Sequence, residues 1–164
     1  MLHTCSIPPN NPNLPLLIYK EALGSRGTEA AGEFERLFAE NGWRGSWRNG
    51  VFSYHHFHSN AHEVLGVCAG SAEVQFGGPQ GPVHSVKAGD VAILPTGSGH
   101  KRINASSDFL VVGAYPAGQE NYDLMRGETE ERQAAEQRIA ATPLPEADPV
   151  YGTDGPLCEH WARD

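Results

Sequence analysis

Apolar residues recur along this chain in more than one rhythm. Between residues 14 and 20 they form a continuous run, LPLLIYK, entered from a stretch rich in Pro and Asn. That texture predicts a strand, placed at a sheet edge because proline cannot donate to a ladder. From 28 to 40 the spacing changes: Phe34, Leu37 and Phe38 fall at i, i+3 and i+4, predicting a helix with Thr28 as N-cap and Asn41-Gly42 as its stop. From Trp43 to Pro116, short runs of Val, Ile, Phe and Tyr are cut by Gly, Pro, Asn and Asp every eight to twelve residues. Strands are predicted over 50–58, 62–68, 71–76, 83–86, 90–94, 99–103 and 108–115, with turns at 77–82 and 87–90. Many short, evenly spaced strands indicate an all-β sandwich or barrel. Trp43 and Trp47 are expected to plug one end of it.

A second helix is predicted over 129–141, mostly polar and supported by Glu128/Arg132 and Arg132/Glu136 pairs. Its apolar stripe, Ala135 and Ile139, is thin, so it should lie on the surface. The stretch after it carries four prolines, at 143, 145, 149 and 156, and reads as an arm laid over the body. The expectation is a single domain over 1–164 with a barrel core at about 43–116, an N-terminal arm and helix before it, and a C-terminal helix and arm after it.

Composition narrows the partners. A length of 164 residues suffices for one self-supporting core without disulfides. A net charge of −8, with no basic cluster longer than Lys101-Arg102, argues against nucleic acid and anionic membrane. No apolar run is long enough to span a bilayer, and the first residues lack the basic-then-apolar pattern of a secretory leader. Three cysteines (Cys5, Cys68, Cys158) without CxxC spacing suggest free thiols in a reducing compartment, hence a cytoplasmic protein.

The chemistry concentrates in HHFHSNAHEV, residues 55–64, which holds half of the eight histidines. On a strand, alternate side chains share a face. Phe52, Tyr54, His56 and His58 would share one face and Ser53, His55 and Phe57 the other. His56 and His58 therefore make a workable metal pair, and His55 points away. After a short turn only one of His62 and Glu63 can readily face inward, and parity alone does not decide which.

Two spaced blocks settle the choice by resemblance. The first reads Gly50, five residues, His56-x-His58, four residues, Glu63, six residues, Gly70. The second reads Gly89, five residues, Pro95-x-Gly97, two residues, His100, three residues, Asn104. Together they resemble the paired signatures of the cupin superfamily without a departure, and the likeness spans about 43–116. The resemblance implies a double-stranded β-helix, the cupin jelly roll, here with two short peripheral helices. It also implies His56, His58, Glu63 and His100 as metal ligands.

Three imidazoles and a carboxylate suit one divalent transition ion per chain (Mn, Fe, Co, Ni or Zn) better than Ca or Mg. A six-coordinate ion would keep two positions for water, oxygen or a small chelating substrate. His62 and Tyr54 are the candidates for proton transfer, with a structural hydrogen bond at the rim as the plainer role for His62. Phe52 and Arg102 are the candidates for substrate binding. His55 and His84 read as surface residues, and Cys68 as an inert packed thiol. The implied function is a metal-dependent enzyme of oxygenase, isomerase or decarboxylase type acting on a small metal-chelating substrate. The alternative is a non-catalytic binding or storage module. Related single-domain cupins, and sheet edges that need covering, lead to the expectation of a homodimer.

Overall fold

The computed structural model describes residues 8–126 and 132–162; Cys5 and Glu128 lie outside them. The chain runs β1 (Leu17–Tyr19), α1 (Gly27–Glu40), β2 (Trp43–Asn49), β3 (Glu63–Ala69), β4 (Ser71–Phe76) and β5 (Val83–Lys87). It continues through β6 (Val91–Leu94), β7 (His100–Ala105), β8 (Leu110–Pro116), α2 (Arg132–Ala141) and α3 (Pro156–His160). The strands form a five-stranded sheet, β1-β6-β3-β8-β2, facing a three-stranded sheet, β5-β4-β7. All pairings are antiparallel. This is the jelly-roll arrangement, and β1 does sit at an edge.

The two sheets differ in what covers them, and their sequences show it. β4 alternates exposed and buried positions, because one face looks to water. In β3, six of seven residues are buried because both faces are covered. Leu65, Val67, Ala92, Leu94 and Val111 point between the sheets at Val74, Phe76 and Val86. Val64, Cys68, Val91, Ile93 and Val112 point the other way, onto Ala30, Ala31, Phe34 and Phe38 of α1. Gly66 permits that contact: a Cβ there would lie 2.8 Å from the Phe34 ring. Burial raises the Cys68 thiol to about 11, consistent with an inert packed residue.

Several local expectations are corrected. The helix α1 begins after Arg26 and has no side-chain cap, so Thr28 lies inside it. Residues 50–58 do not form a regular strand; the strand lies earlier, at β2, and 50–58 carries isolated bridges at His56 and Phe57. Trp43 and Trp47 do not share one end of the barrel. A register shift between Arg44 and Trp47 sends Trp43 to the α1 side and Trp47 to the inner side. The C-terminal arm includes a third helix, α3, absent from the expectation.

That arm is anchored by Asp148, which is fully buried. Its Oδ1 accepts the N–H groups of Val150 and Tyr151 at 2.8 and 3.0 Å. Its Oδ2 accepts the Leu157 N–H at 3.1 Å and the hydroxyl of Tyr19 from β1. Trp161 closes the clasp by donating its indole N–H to the Pro15 carbonyl. Ala135 and Ile139 are the buried positions of α2, as the thin stripe predicts. Among the described residues, no helix is long and apolar enough to cross a membrane.

Candidate metal centre

Three pieces of chain meet at one end of the space between the sheets. Glu63 opens β3 and His100 opens β7. The segment 56–58 arrives between them, held by backbone pairs. His56 and His100 exchange N–H···O bonds of 3.1 and 2.9 Å, and Phe57 and Met125 exchange two of 2.9 Å. Over this short piece the alternation expected of a strand holds. Phe57 packs outward on Met125 and Ala135, while His56 and His58 face the cavity. Gly97, in the left-handed region at φ 92°, turns the chain so that its N–H reaches the His58 carbonyl at 2.7 Å.

Each of the three cavity histidines has its Nδ1 at a backbone carbonyl. His56 meets Tyr54 at 2.9 Å, His100 meets Ser98 at 3.1 Å, and His58 meets the carbonyl of Asp123. A carbonyl only accepts, so Nδ1 must carry the proton and donate. In the neutral ring Nε2 then presents a lone pair, as a metal ligand requires. The Nε2 atoms of His58 and His100 lie 3.5 and 3.3 Å from Glu63 Oε1.

Glu63 Oε1 is buried and has no hydrogen-bond donor. Its other oxygen accepts the Tyr115 hydroxyl at 2.7 Å, and that hydroxyl accepts the Trp47 indole N–H at 2.7 Å. Two nitrogen lone pairs and a carboxylate oxygen therefore face one another and call for a positive charge. Burial alone would raise the Glu63 carboxyl, but His58 and His100 outweigh it and hold it below its ordinary range. His58 is raised: burial opposes its charge, and the Glu63 carboxylate more than compensates. A cation with available coordination positions fits where the only other counter-charge is a proton.

The ligand atoms of His58, Glu63 and His100 lie within 4.8 Å of one another, so these three could hold a metal ion. His56 stands beside this group rather than in it, its ring centroid 3.9 Å from that of His100. Burial, with His100 next, lowers its pKa to about 3, so it too offers a neutral ring.

The trio forms the floor of a cavity of about 540 Å³. Phe52 and Arg102 line it, as expected of substrate-binding candidates, together with Leu65, Tyr115, Tyr122 and Leu124. Tyr54 is not among the lining residues. It stacks on Phe52 at 4.9 Å under the Arg126 guanidinium, a wall support rather than an acid facing the floor. His62 is not at the rim. It is fully buried on the far side of the sheet, against Trp161. Its Nδ1 accepts the Thr96 N–H at 2.9 Å, so its Nε2 donates to the Pro143 carbonyl at 3.1 Å. The structural hydrogen bond is real, and the proton-transfer role is withdrawn, because the ring faces away from the cavity. His55 stands outside the cavity lining and His84 packs on Phe76.

The sequence pattern assigns no site role to Tyr115, Tyr122 or Asp123, and to Trp47 only that of a barrel plug. Tyr115 could have been found by parity, since Val111 and Tyr115 share the inward face of β8. Asp123 acts through its backbone carbonyl, which no side-chain pattern marks.

Residues 47–130 match the family model described as Cupin. A relative from Bacillus subtilis (strain 168), the uncharacterized protein YjlB, is 43% identical over 155 residues, covering 94% of this chain and 90% of that one. The acireductone dioxygenase of Bacillus anthracis, solved with a cadmium ion in its active centre, is 13% identical with a TM-score of 0.46. The match covers 65% of this chain and 81% of that one. An uncharacterized conserved protein with a double-stranded beta-helix domain from Klebsiella pneumoniae is 26% identical with a TM-score of 0.41, over 51% and 68% of the two chains. Likenesses this distant leave the chemistry to be argued from the residues themselves.

Proposed function

This chain belongs to the cupin family, and we propose that it is a metal-dependent enzyme acting on a small substrate that chelates its metal. One observation carries the reading: Glu63 Oε1 is buried without a donor, opposite two imidazole nitrogens at 3.3 and 3.5 Å, on the floor of an open cavity. A carboxylate kept for structure would be saturated with donors. His58, Glu63 and His100 would hold the ion, and His56, on the adjoining wall, would be the candidate fourth ligand. Imidazole and carboxylate donors suit manganese, iron, cobalt, nickel or zinc.

When bound, such an ion supplies Lewis acidity, and electron transfer if it is redox-active, to a chelated substrate. The chain's own groups do the rest. The Glu63 carboxylate would offset part of the ion's charge; because its Oε2 accepts the Tyr115 hydroxyl, Oε1 is the oxygen it would offer the ion. Burial, then the Glu63 charge, raises the Tyr115 phenol, which therefore remains a donor. Val51, Leu65 and Trp47 put apolar surface beside the floor, and a low-dielectric wall strengthens charge interactions next to it. Tyr122, which lines the cavity, offers a phenol there in place of Tyr54.

Metal analysis of the protein purified without chelators tests the site. Wild type and His55→Ala should carry a transition ion, whereas His100→Ala should lose it. Equal retention in both variants would overturn the ligand assignment. Turnover is tested separately on cobalt-substituted protein. If carboxylates, diketones and thiols all leave its visible spectrum unchanged, a non-catalytic binding module becomes the better reading.

A further inference from the structure

We propose that the substrate of this cavity is an organic acid with two acidic groups, one chelating at the floor and the other paired with Arg102. The inference rests on the metal-dependent reading above and goes on to name the substrate's charge.

The argument begins with position. Arg102 follows His100 by two residues on β7, so the two side chains share a face. Register confirms the direction: His100 is opposite Phe76 and Arg102 opposite Val74, and both partners point between the sheets. The Arg102 backbone is fixed by donating to the Phe52 carbonyl at 2.9 Å. Alternate residues on a strand are about 7 Å apart. Side chains from such neighbouring positions leave between their ends the span of a molecule with one or two carbons between its chelating head and a second acidic group.

Charge then decides what the second group is. Arg102 and Arg48 are the cations lining the cavity, and Glu63 is the one carboxylate. Arg48 is already committed to Glu35 through two hydrogen bonds of 2.8 and 2.7 Å. Among the described residues, no carboxylate pairs with Arg102. A divalent ion with Glu63 as its one anionic ligand keeps a positive charge, and Arg102 adds another. The cavity is therefore a cationic pocket in a chain of net charge −8, which favours a dianion and disfavours amines, sulfonium compounds and neutral sugars. Between the two anchors the wall is Val51, Phe52 and Leu65, apolar groups that suit a short hydrocarbon spacer.

The test uses malate and α-hydroxybutyrate, its analogue with a methyl group in place of the second carboxylate. Both are titrated into full-length cobalt-substituted protein, following the cobalt absorption. Malate should bind at least about tenfold more tightly, the contribution expected of one charge-assisted pair. Arg102→Gln should bring the two affinities together, and Arg102→Lys should restore part of the difference. Equal affinities in the wild type would overturn the proposal, as would a preference for malate that survives Arg102→Gln, or binding of neither acid. The wild-type comparison stands whether or not the variants fold. A protein that takes up no cobalt would instead bring down the metal reading itself, so the two failures are distinguishable.

Discussion

Two buried carboxylates, Asp148 in the C-terminal clasp and Glu63 on the cavity floor, are removed from water to nearly the same degree. Asp148 is 0% exposed and Glu63 3%. Asp148 receives three backbone N–H groups and a tyrosine hydroxyl, shared over both oxygens. Glu63 receives one phenol on Oε2 and nothing on Oε1. Burial alone therefore does not distinguish structure from chemistry; the count of donors does. A saturated carboxylate holds the fold together. One left with a bare oxygen facing imidazole lone pairs is kept for a cation.

The sharpest way to break this comparison is to neutralise each group and read both stability and metal. In Glu63→Gln, the amide oxygen can keep the Tyr115 bond while its NH₂ donates to the imidazole nitrogens. The metal-free fold should therefore stay within about 1 kcal/mol of wild type. Metal affinity should fall about a hundredfold or more, because the anionic ligand is gone. In Asp148→Asn, an NH₂ group confronts backbone donors that have no other acceptor. That change should cost about 2–4 kcal/mol in denaturant unfolding and leave the metal content per folded chain unchanged. If Glu63→Gln unfolds the protein while retaining metal, the two roles have been assigned the wrong way round.

A smaller effect sharpens the same contrast at the donor Glu63 does have. Tyr115→Phe removes the hydroxyl from Oε2, freeing the carboxylate to rotate or to bind through both oxygens. Metal affinity should fall about tenfold, in the range seen when a ligand's supporting hydrogen bond is lost. The cobalt absorption should change as well, reporting an altered ligand set. An unchanged spectrum with unchanged affinity would mean that the Trp47–Tyr115 pair only fills space.

Much of this contrast was legible in the sequence, and the reasons are local. His56 and His58 alternate with Phe57, so their shared direction followed from a period of two even though the segment proved irregular. Glu63 over His62 was not decidable by parity; the spaced signature settled it, and the Thr96 and Pro143 bonds show where His62 goes instead. What stayed hidden depends on long-range packing. The bulge that turns Trp47 inward lies within RGSW and makes room through Gly113, where a Cβ would fall 2.2 Å from the indole. The donors of Asp148 come from β1, its own turn and α3, and no spacing rule links residue 19 to residue 148.

Asp90 offers the mildest test, because it is a third buried carboxylate and belongs with Asp148. It follows the Gly89 turn and accepts the N–H groups of Glu21 and Lys87, both at 3.0 Å, and Lys20 Nζ at 3.2 Å. Burial pushes its carboxyl upward, yet the two backbone donors and the lysine outweigh that, and the net shift is downward from 3.8. A lowered carboxyl contributes stability that is complete above the unfolded-state pKa and is lost as pH falls through the lower folded-state value. The contribution should therefore be present above about pH 4 and disappear below it. Lys20 is 57% exposed, so its share is screened and the backbone donors account for most of the effect. Asp90→Asn should cost about 1–2 kcal/mol at neutral pH and flatten the acid limb of the stability curve, with metal content unaltered. An acid limb identical to wild type would show that Asp90 is not a closed carboxylate of the Asp148 kind.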